Sequence, residues 1–249
     1  RWAWDKQLYG HAFTTTNGTY AELGTKGETR NNQHESLLGV YRSPSPRYIW
    51  AAALTGAAAP SLRNDPARPL QSLPVYGVLA PDLADRFELT ERNNLLYSGI
   101  STYTVGDDGT VMIENLITTY QKNSYGDADD SYLELETLFS LMFVTRYLRT
   151  AVTSKFGRMK LAADGTRFAP GAAIVTPNII KADQIAEYQT LVWNGYAQDA
   201  EAFAKNIIVE QNAKNPNRVD VLWPGTLMNQ LRIFALLNQF RLQAESTGA

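Results

Sequence analysis

Cysteine is absent from the chain, which removes disulfides, thiolate zinc sites, iron–sulfur clusters and thiol nucleophiles together. Histidine is scarce, with two copies in 249 residues, so His-rich metal sites and the commonest general base have little to draw on. An excess of one charge is also lacking. The net charge is -2, and splitting the chain at Asn94 gives 10 basic against 9 acidic residues before it and 13 against 16 after it. Neither part carries the positive balance of a nucleic-acid-binding surface, and no direct nucleic-acid contact is expected. Long apolar runs are missing: 50–59 and 138–144 fall far short of the roughly 20 residues that a bilayer span needs, so no membrane insertion is expected. No charged-then-apolar leader opens the chain. It starts in Arg1-Trp2-Ala3-Trp4 without an initiator Met, which reads as the middle of a folded domain and sets the expectation of a fragment or processed product.

What remains is an ordinary globular composition, 44% hydrophobic, long enough for one large domain or two smaller ones. Residues 8–16 are strand-like and end at the turn signal Asn17-Gly18. A short helix over 19–23 is expected to close at Gly24. Residues 34–41 carry an apolar run of strand length. After Ser43-Pro44-Ser45-Pro46 the spacing predicts a helix from about Pro46 to Ala59, stopping before Pro60. Strand, helix, strand, helix is an α/β pattern. Five prolines between 60 and 82 predict an irregular surface segment. A short helix starts near Thr90, and Gly99 suits the left-handed position that ends it.

The pattern changes after Gly99. Two β-rich runs, 100–105 and 111–120, joined by Gly106-Asp107-Asp108-Gly109, predict a hairpin. Residues 131–156 have a helical period, with acidic residues from Asp127 to Glu136 near the start and Arg146, Arg149, Lys155, Arg158 and Lys160 toward the end, both complementing the helix dipole. A second helix is expected from Pro177 to Gly195, a third over 200–206, and a hairpin from 207–211 and 219–223 around Asn215-Pro216-Asn217. The bland reading of this part is an α+β domain. The tail fits two readings. Leu227, Leu231 and Phe234 suit a helix, whereas Leu231, Ile233, Ala235 and Leu237 alternate as in a strand. Phe240, Leu242 and Ala244 then alternate in the opposite parity, which requires a bulge or a change of sheet near Asn238.

No motif imposes a catalytic mechanism. The chain lacks a G-x-S-x-G elbow, a phosphate loop and a G-x-G-x-x-G turn. His11 and His34 read as structural or surface residues. Asp127, Asp129 and Asp130 read as helix capping and solvation rather than as a calcium loop, and the Asp-Gly pairs as turns. The five tryptophans are scattered and read as core or interface anchors. No catalytic residue, metal site or cofactor is expected.

Five blocks nevertheless occur in order: LLYSGISTYTV at 95–105, GTVMIENLITTYQ at 109–121, LAADGTRF at 161–168, AIVTPNII at 173–180 and NPNRVDVLWPGTLMNQL at 215–231. Together they resemble the tail sheath proteins of Mu-like contractile-tailed bacteriophages over about 95–242, and residues 1–94 resemble the later part of the subtilisin-like domain of those proteins. The resemblance implies an α/β and α+β chain divided into 1–94 (subtilisin-like sheath domain), 95–238 (C-terminal sheath domain) and 239–249 (terminal β-arm). It implies a structural subunit that polymerises in stacked hexameric rings around a tail tube and contracts to drive the tube through the host envelope. The implied partners are other sheath subunits, the tube protein, the baseplate and the tail terminator. The implied place is the virion, after assembly in the host cytoplasm.

In that family terminal arms add strands to neighbouring subunits. The resemblance therefore favours the strand reading of the tail, with 231–237 in the chain's own sheet and Gln239, Phe240, Arg241, Leu242, Gln243 and Ala244 as an inter-subunit arm. Arg146, Arg149, Lys155 and Arg158 become candidate charge contacts between subunits. The competing readings are an adhesin-like surface-binding module of a phage tail, favoured if Trp2, Trp4 and Trp50 share an exposed face, and a degenerate α/β hydrolase, which needs a nucleophile and base in one pocket.

Overall fold

The computed structural model describes residues 8–238. Its first half is built on one sheet. Strand β1 (Ala12–Asn17) runs parallel to β2 (Glu35–Val40), with Ala12 opposite Glu35 and Asn17 opposite Val40. The ladder continues from β2 to the start of β3 (Thr102–Val105) through Ser101 N–H to Leu37 O, 2.8 Å, and Gly39 N–H to Ser101 O, 3.2 Å. Strand β3 pairs antiparallel with β4 (Val111–Asn115) around the expected Gly106–Gly109 turn. Residues 72–75 close the far edge, where Ser72 N–H donates to Ile113 O and Val75 N–H to Val111 O, each at 2.8 Å. The hairpin, which the sequence pattern groups with the chain after residue 95, thus extends the sheet of β1 and β2.

Helices cover both faces of this sheet. Helix α1 (Tyr20–Glu28) and α3 (Leu89–Tyr97) meet Leu37 on one face, in a cluster of Leu23, Leu37, Phe87, Leu95 and Ile100. Helix α2 (Arg47–Asn64) buries Trp50, Leu54, Ala58 and Leu62, a stripe recurring every four residues, against Leu38 and Val40 on the other face. Adjacent residues of β2 therefore serve opposite cores, which is why that strand reads as an unbroken apolar run rather than an alternation.

Two helices pass the breakers expected to stop them. Helix α1 starts on a capping box, Glu22 N–H to Thr19 Oγ1 and Thr19 N–H to Glu22 Oε2, and continues through Gly24 to Glu28. The critical glycine is Gly27, where an added Cβ would collide with the backbone oxygen of Ser98, so the helix lies flush against the link between α3 and β3. Helix α2 contains Pro60. Pro60 and Gly56, four residues earlier, are both exposed, so the lost backbone hydrogen bond falls on the solvent side while Leu62 keeps burying the other face.

The second half is organised by helix α4 (Leu135–Phe156), which starts four residues later than the periodicity predicts. Residues 131–134 are held instead by the chain beyond β4: Thr118 donates through its N–H to Leu133 O, 2.8 Å, and through its hydroxyl to Tyr132 O, 2.7 Å. The helix belongs to both halves, with Leu135 in the core of α2 and Val144 and Leu148 in a second core. That core is completed by α5 (Pro177–Trp193), α6 (Ala200–Asn206) and the antiparallel hairpin β8–β9 (Ile208–Gln211, Val219–Leu222). Two shorter pairings accompany it: β5 (Lys160–Leu161) lies parallel to β6 (Ile174–Val175), and β7 (Ala197–Gln198) lies antiparallel to β10 (Thr226–Leu227).

The tail corrects an expectation. Residues 228–238 form neither helix nor strand, so 231–237 is not part of the chain's own sheet; Leu231, Ile233, Phe234, Leu236 and Leu237 are all exposed. The proposed arm from Gln239 to Ala244 lies outside the described residues.

Candidate functional site

The four basic residues of α4 and the turn after it do not behave alike. Lys155 is engaged inside the chain: its Nζ lies 2.6 Å from Asp183 Oδ1 and 2.5 Å from Glu187 Oε1, and Tyr147 donates to the other oxygen of Glu187 at 2.6 Å. Hydrogen bonds from Lys155 and Tyr147 hold the Glu187 carboxyl below the usual carboxylate range. The bonds to Asp183 and Glu187 raise the Lys155 ammonium above its own. Arg146, Arg149 and Arg158 are exposed and make no ion pair among the described residues. Arg146 stands at a groove of about 310 Å³ between α2 and α4, beside Phe13, Leu62, Arg63 and Phe143. Three of the four are thus available to a second molecule, and Lys155 is spent on tying α4 to α5.

The acidic run before α4 is not a helix cap, since the helix begins five residues after Asp130. Asp129 instead organises a turn, accepting from Ser131 N–H at 2.9 Å and from the Tyr120 hydroxyl at 2.6 Å. No cluster of His, Asp and Glu suited to a metal occurs among the described residues.

One pair has the outline of a nucleophile and its base. His11 Nε2 lies 2.8 Å from Ser36 Oγ. Ser36 is fully buried, so no substrate carbonyl reaches its hydroxyl. His11 packs between Phe13 and Phe139, and its Nδ1 has no partner among the described residues, so no carboxylate there orients the ring. Burial, helped by nearby His34, pushes the His11 pKa down to about 3. This is a partly buried neutral imidazole that joins the residue just before β1 to Ser36 of β2. The described tryptophans do not share one environment: Trp50 is 0% exposed and donates to Ser43 Oγ at 2.8 Å, which removes it from any exposed aromatic face, whereas Trp193, at the end of α5, is 89% exposed. Trp2 and Trp4 lie outside the described residues.

Sequence reasoning missed one charged group. Arg232, from the tail, reaches Glu134 and Glu136 at the start of α4. Both carboxylates read as dipole complements in the sequence, and a partner 96 or more residues away leaves no local signal.

The chain is thus a layered α/β sheet followed by a helix-centred second core, with exposed arginines on and just after the helix that the two share. The chain belongs to the phage tail sheath family: residues 1–119 match the phage tail sheath protein central domain and residues 127–241 the phage tail sheath C-terminal domain. It is 46% identical over 242 residues to the Mu-like prophage FluMu tail sheath protein of Haemophilus influenzae, an alignment covering 97% of this chain and 50% of that one. The chain spans about half the length of that curated relative. Among solved structures, the fold is similar to the sheath tail protein of Desulfitobacterium hafniense (TM-score 0.56, 14% identity, 91% of this chain and 48% of that one). It is also similar to a chain in the helical sheath of the anti-feeding prophage in its contracted state (TM-score 0.59, 10% identity, 96% and 63%).

Proposed function

We propose that this chain is the sheath-forming part of a structural subunit that polymerises around a phage tail tube and contracts to drive the tube through the host envelope. The observation that carries this reading is the ordered match of both sheath domains across almost the whole chain, together with 46% identity to a Mu-like sheath protein. In this reading the first domain is the later part of a subtilisin-like fold used as a scaffold without catalysis, and the subunits stack as hexameric rings. The tube protein, the baseplate and a tail terminator are its partners, and the protein reaches the virion after assembly in the host cytoplasm. We set the junction between the two sheath domains on the approach to α4 rather than at residue 94, because β3 and β4 share the core of β2 and α2.

The contact residues of the assembly, in this proposal, are Arg146, Arg149 and Arg158 on the surface and the arm of Gln239, Phe240, Arg241, Leu242, Gln243 and Ala244 at the end. An added strand of that length contributes roughly five ladder hydrogen bonds, each about 0.5–1.5 kcal/mol net. Electron microscopy of the full-length protein tests the function: hollow tubes of stacked rings are expected, and an exclusively monomeric protein under tail-assembly conditions overturns it. Truncation before Gln239 tests the arm, with tubes lost while the fold is kept.

A further inference from the structure

The tail after β10 is apolar, exposed and without regular structure, yet one of its side chains is not exposed. The Arg232 side chain retains 19% of its accessibility, whereas Leu231 and Ile233 on either side keep 78% and 83%. Its Nη2 lies 2.7 Å from Glu134 Oε2 and 2.7 Å from Glu136 Oε2. Glu136 is completely buried, and its second oxygen accepts from Leu70 N–H at 2.8 Å. Three distant stretches therefore meet on one carboxylate: the loop after α2, the first turn of α4 and the tail. A charge at full burial needs a cation beside it, and among the described residues Arg232 is the one that reaches Glu136.

No other contact of comparable kind holds this segment among the described residues. The last backbone hydrogen bond from the tail is Met228 N–H to Tyr196 O, 3.4 Å, and Gln230 bonds to Met228 within the tail. We propose that Arg232 and the Glu134–Glu136 pair form an ionic latch that fixes where the C-terminal tail leaves the body of the subunit. The latch lets β10 stay tied to β7 while the residues beyond 232 project with their apolar side chains uncovered. It is held through one guanidinium nitrogen, because Nε and Nη1 are buried without an acceptor among the described residues. The inference concerns the fold of the single chain and stands whether or not the chain assembles as a sheath.

The absence of cysteine supplies the test. Ala235→Cys introduces a single thiol for a nitroxide spin label in the full chain, kept monomeric at low concentration. With Arg232 present the label is expected to show restricted motion; with Arg232→Gln added, its mobility should rise at least severalfold. Glu134→Gln should produce a smaller rise in the same direction, because Glu136 keeps half of the latch and the substituted amide keeps the shape of the carboxylate. Far-ultraviolet circular dichroism and melting of each variant separate release from unfolding. Should Arg232→Gln unfold the chain, Glu134→Gln alone carries the decision. Equal label mobility in folded parent and folded variant overturns the latch.

Discussion

The two cores of this protein are held in different ways. Around β2 and α2, segments far apart in sequence are stitched by backbone ladders from β1 through β2, β3 and β4 to residues 72–75, and side chains fill the space between layers. Around α5 the strands are short, two of the pairings only two residues long, and side chains supply the order. The Tyr188 and Phe203 rings stack at 3.7 Å and 7°, with the Trp223 ring 6.2 and 6.3 Å from them. The Tyr188 hydroxyl donates to Gln198 O at 2.7 Å and accepts from Thr226 N–H at 3.0 Å, pinning β7 and β10 together. A core built on ladders fixes register and resists sliding; one built on side-chain packing has fewer backbone restraints. The two share α4, so whether they melt as one unit depends on that helix.

The largest expected effect tests that sharing. Trp50 is fully buried beside Tyr103, with ring centroids 4.9 Å apart. Trp50→Ala should cost about 3–5 kcal/mol through lost burial and a residual cavity. Hydrogen exchange resolved by segment then reads the coupling. If α4 couples the cores, protection falls in α5 as well as in β1–β4; if α5 keeps its protection, the cores are separate cooperative units. Next in size is Tyr188→Phe, which preserves the stack but strips a buried donor and acceptor from the β7–β10 corner. A loss of about 1–3 kcal/mol is expected, with exchange at Thr226 and Leu227 rising most. Unchanged protection there means that the aromatic packing alone holds the corner.

A third effect belongs to the sheet core only. His11 has its pKa depressed from 6.5 to about 3 by burial first and by His34 second. A histidine held neutral in the folded state and free to protonate in the unfolded state gives stability that is complete above pH 6.5 and is lost as pH falls toward 3. The slope is at most about 1.4 kcal/mol per pH unit. Melting of the parent and of His11→Gln between pH 7 and 4 measures it. The parent should lose more than the variant, and parallel curves refute the assignment.

Much of this organisation is readable wherever the determinants are local. Gly106-Asp107-Asp108-Gly109 marks the β3–β4 turn, Pro177 opens α5, and Gly195, with φ of 79°, stands just after its end; the residues that set these features are neighbours in sequence. What the sequence conceals is set by tertiary partners. Pro60 reads as a stop, but its missing hydrogen bond faces solvent and Leu62 has a core to fill. Residues 131–134 have helical periodicity but are claimed by Thr118. The ladder from β2 to Ser101 and the buried Glu136–Arg232 pair join residues more than 60 positions apart, beyond any period or spacing rule. The alternation after Leu231 shows strand character without showing a strand partner, and the described residues of this chain contain none for it.

The smallest expected effect separates the charges of α4 by role. Lys155 bridges α4 and α5 at a half-exposed site, where solvent screens much of its attraction to Asp183 and Glu187. Lys155→Met should therefore lower the melting temperature slightly, and more at low salt than at high salt. Arg146→Glu and Arg149→Glu touch no ion pair among the described residues, so the stability of the isolated chain should change by no more than about 0.5 kcal/mol. If these arginines meet neighbouring subunits, the same reversals repeat in every ring and should alter sheath stability or contraction although the monomer is unaffected. Lys155→Met should show the opposite balance, a change in the monomer with little added in the tube. Sedimentation and electron microscopy of assembled full-length variants, set beside monomer melting curves, distinguish the two. Arginine reversals that weaken monomer and tube equally would remove these residues from the inter-subunit surface and return them to the fold.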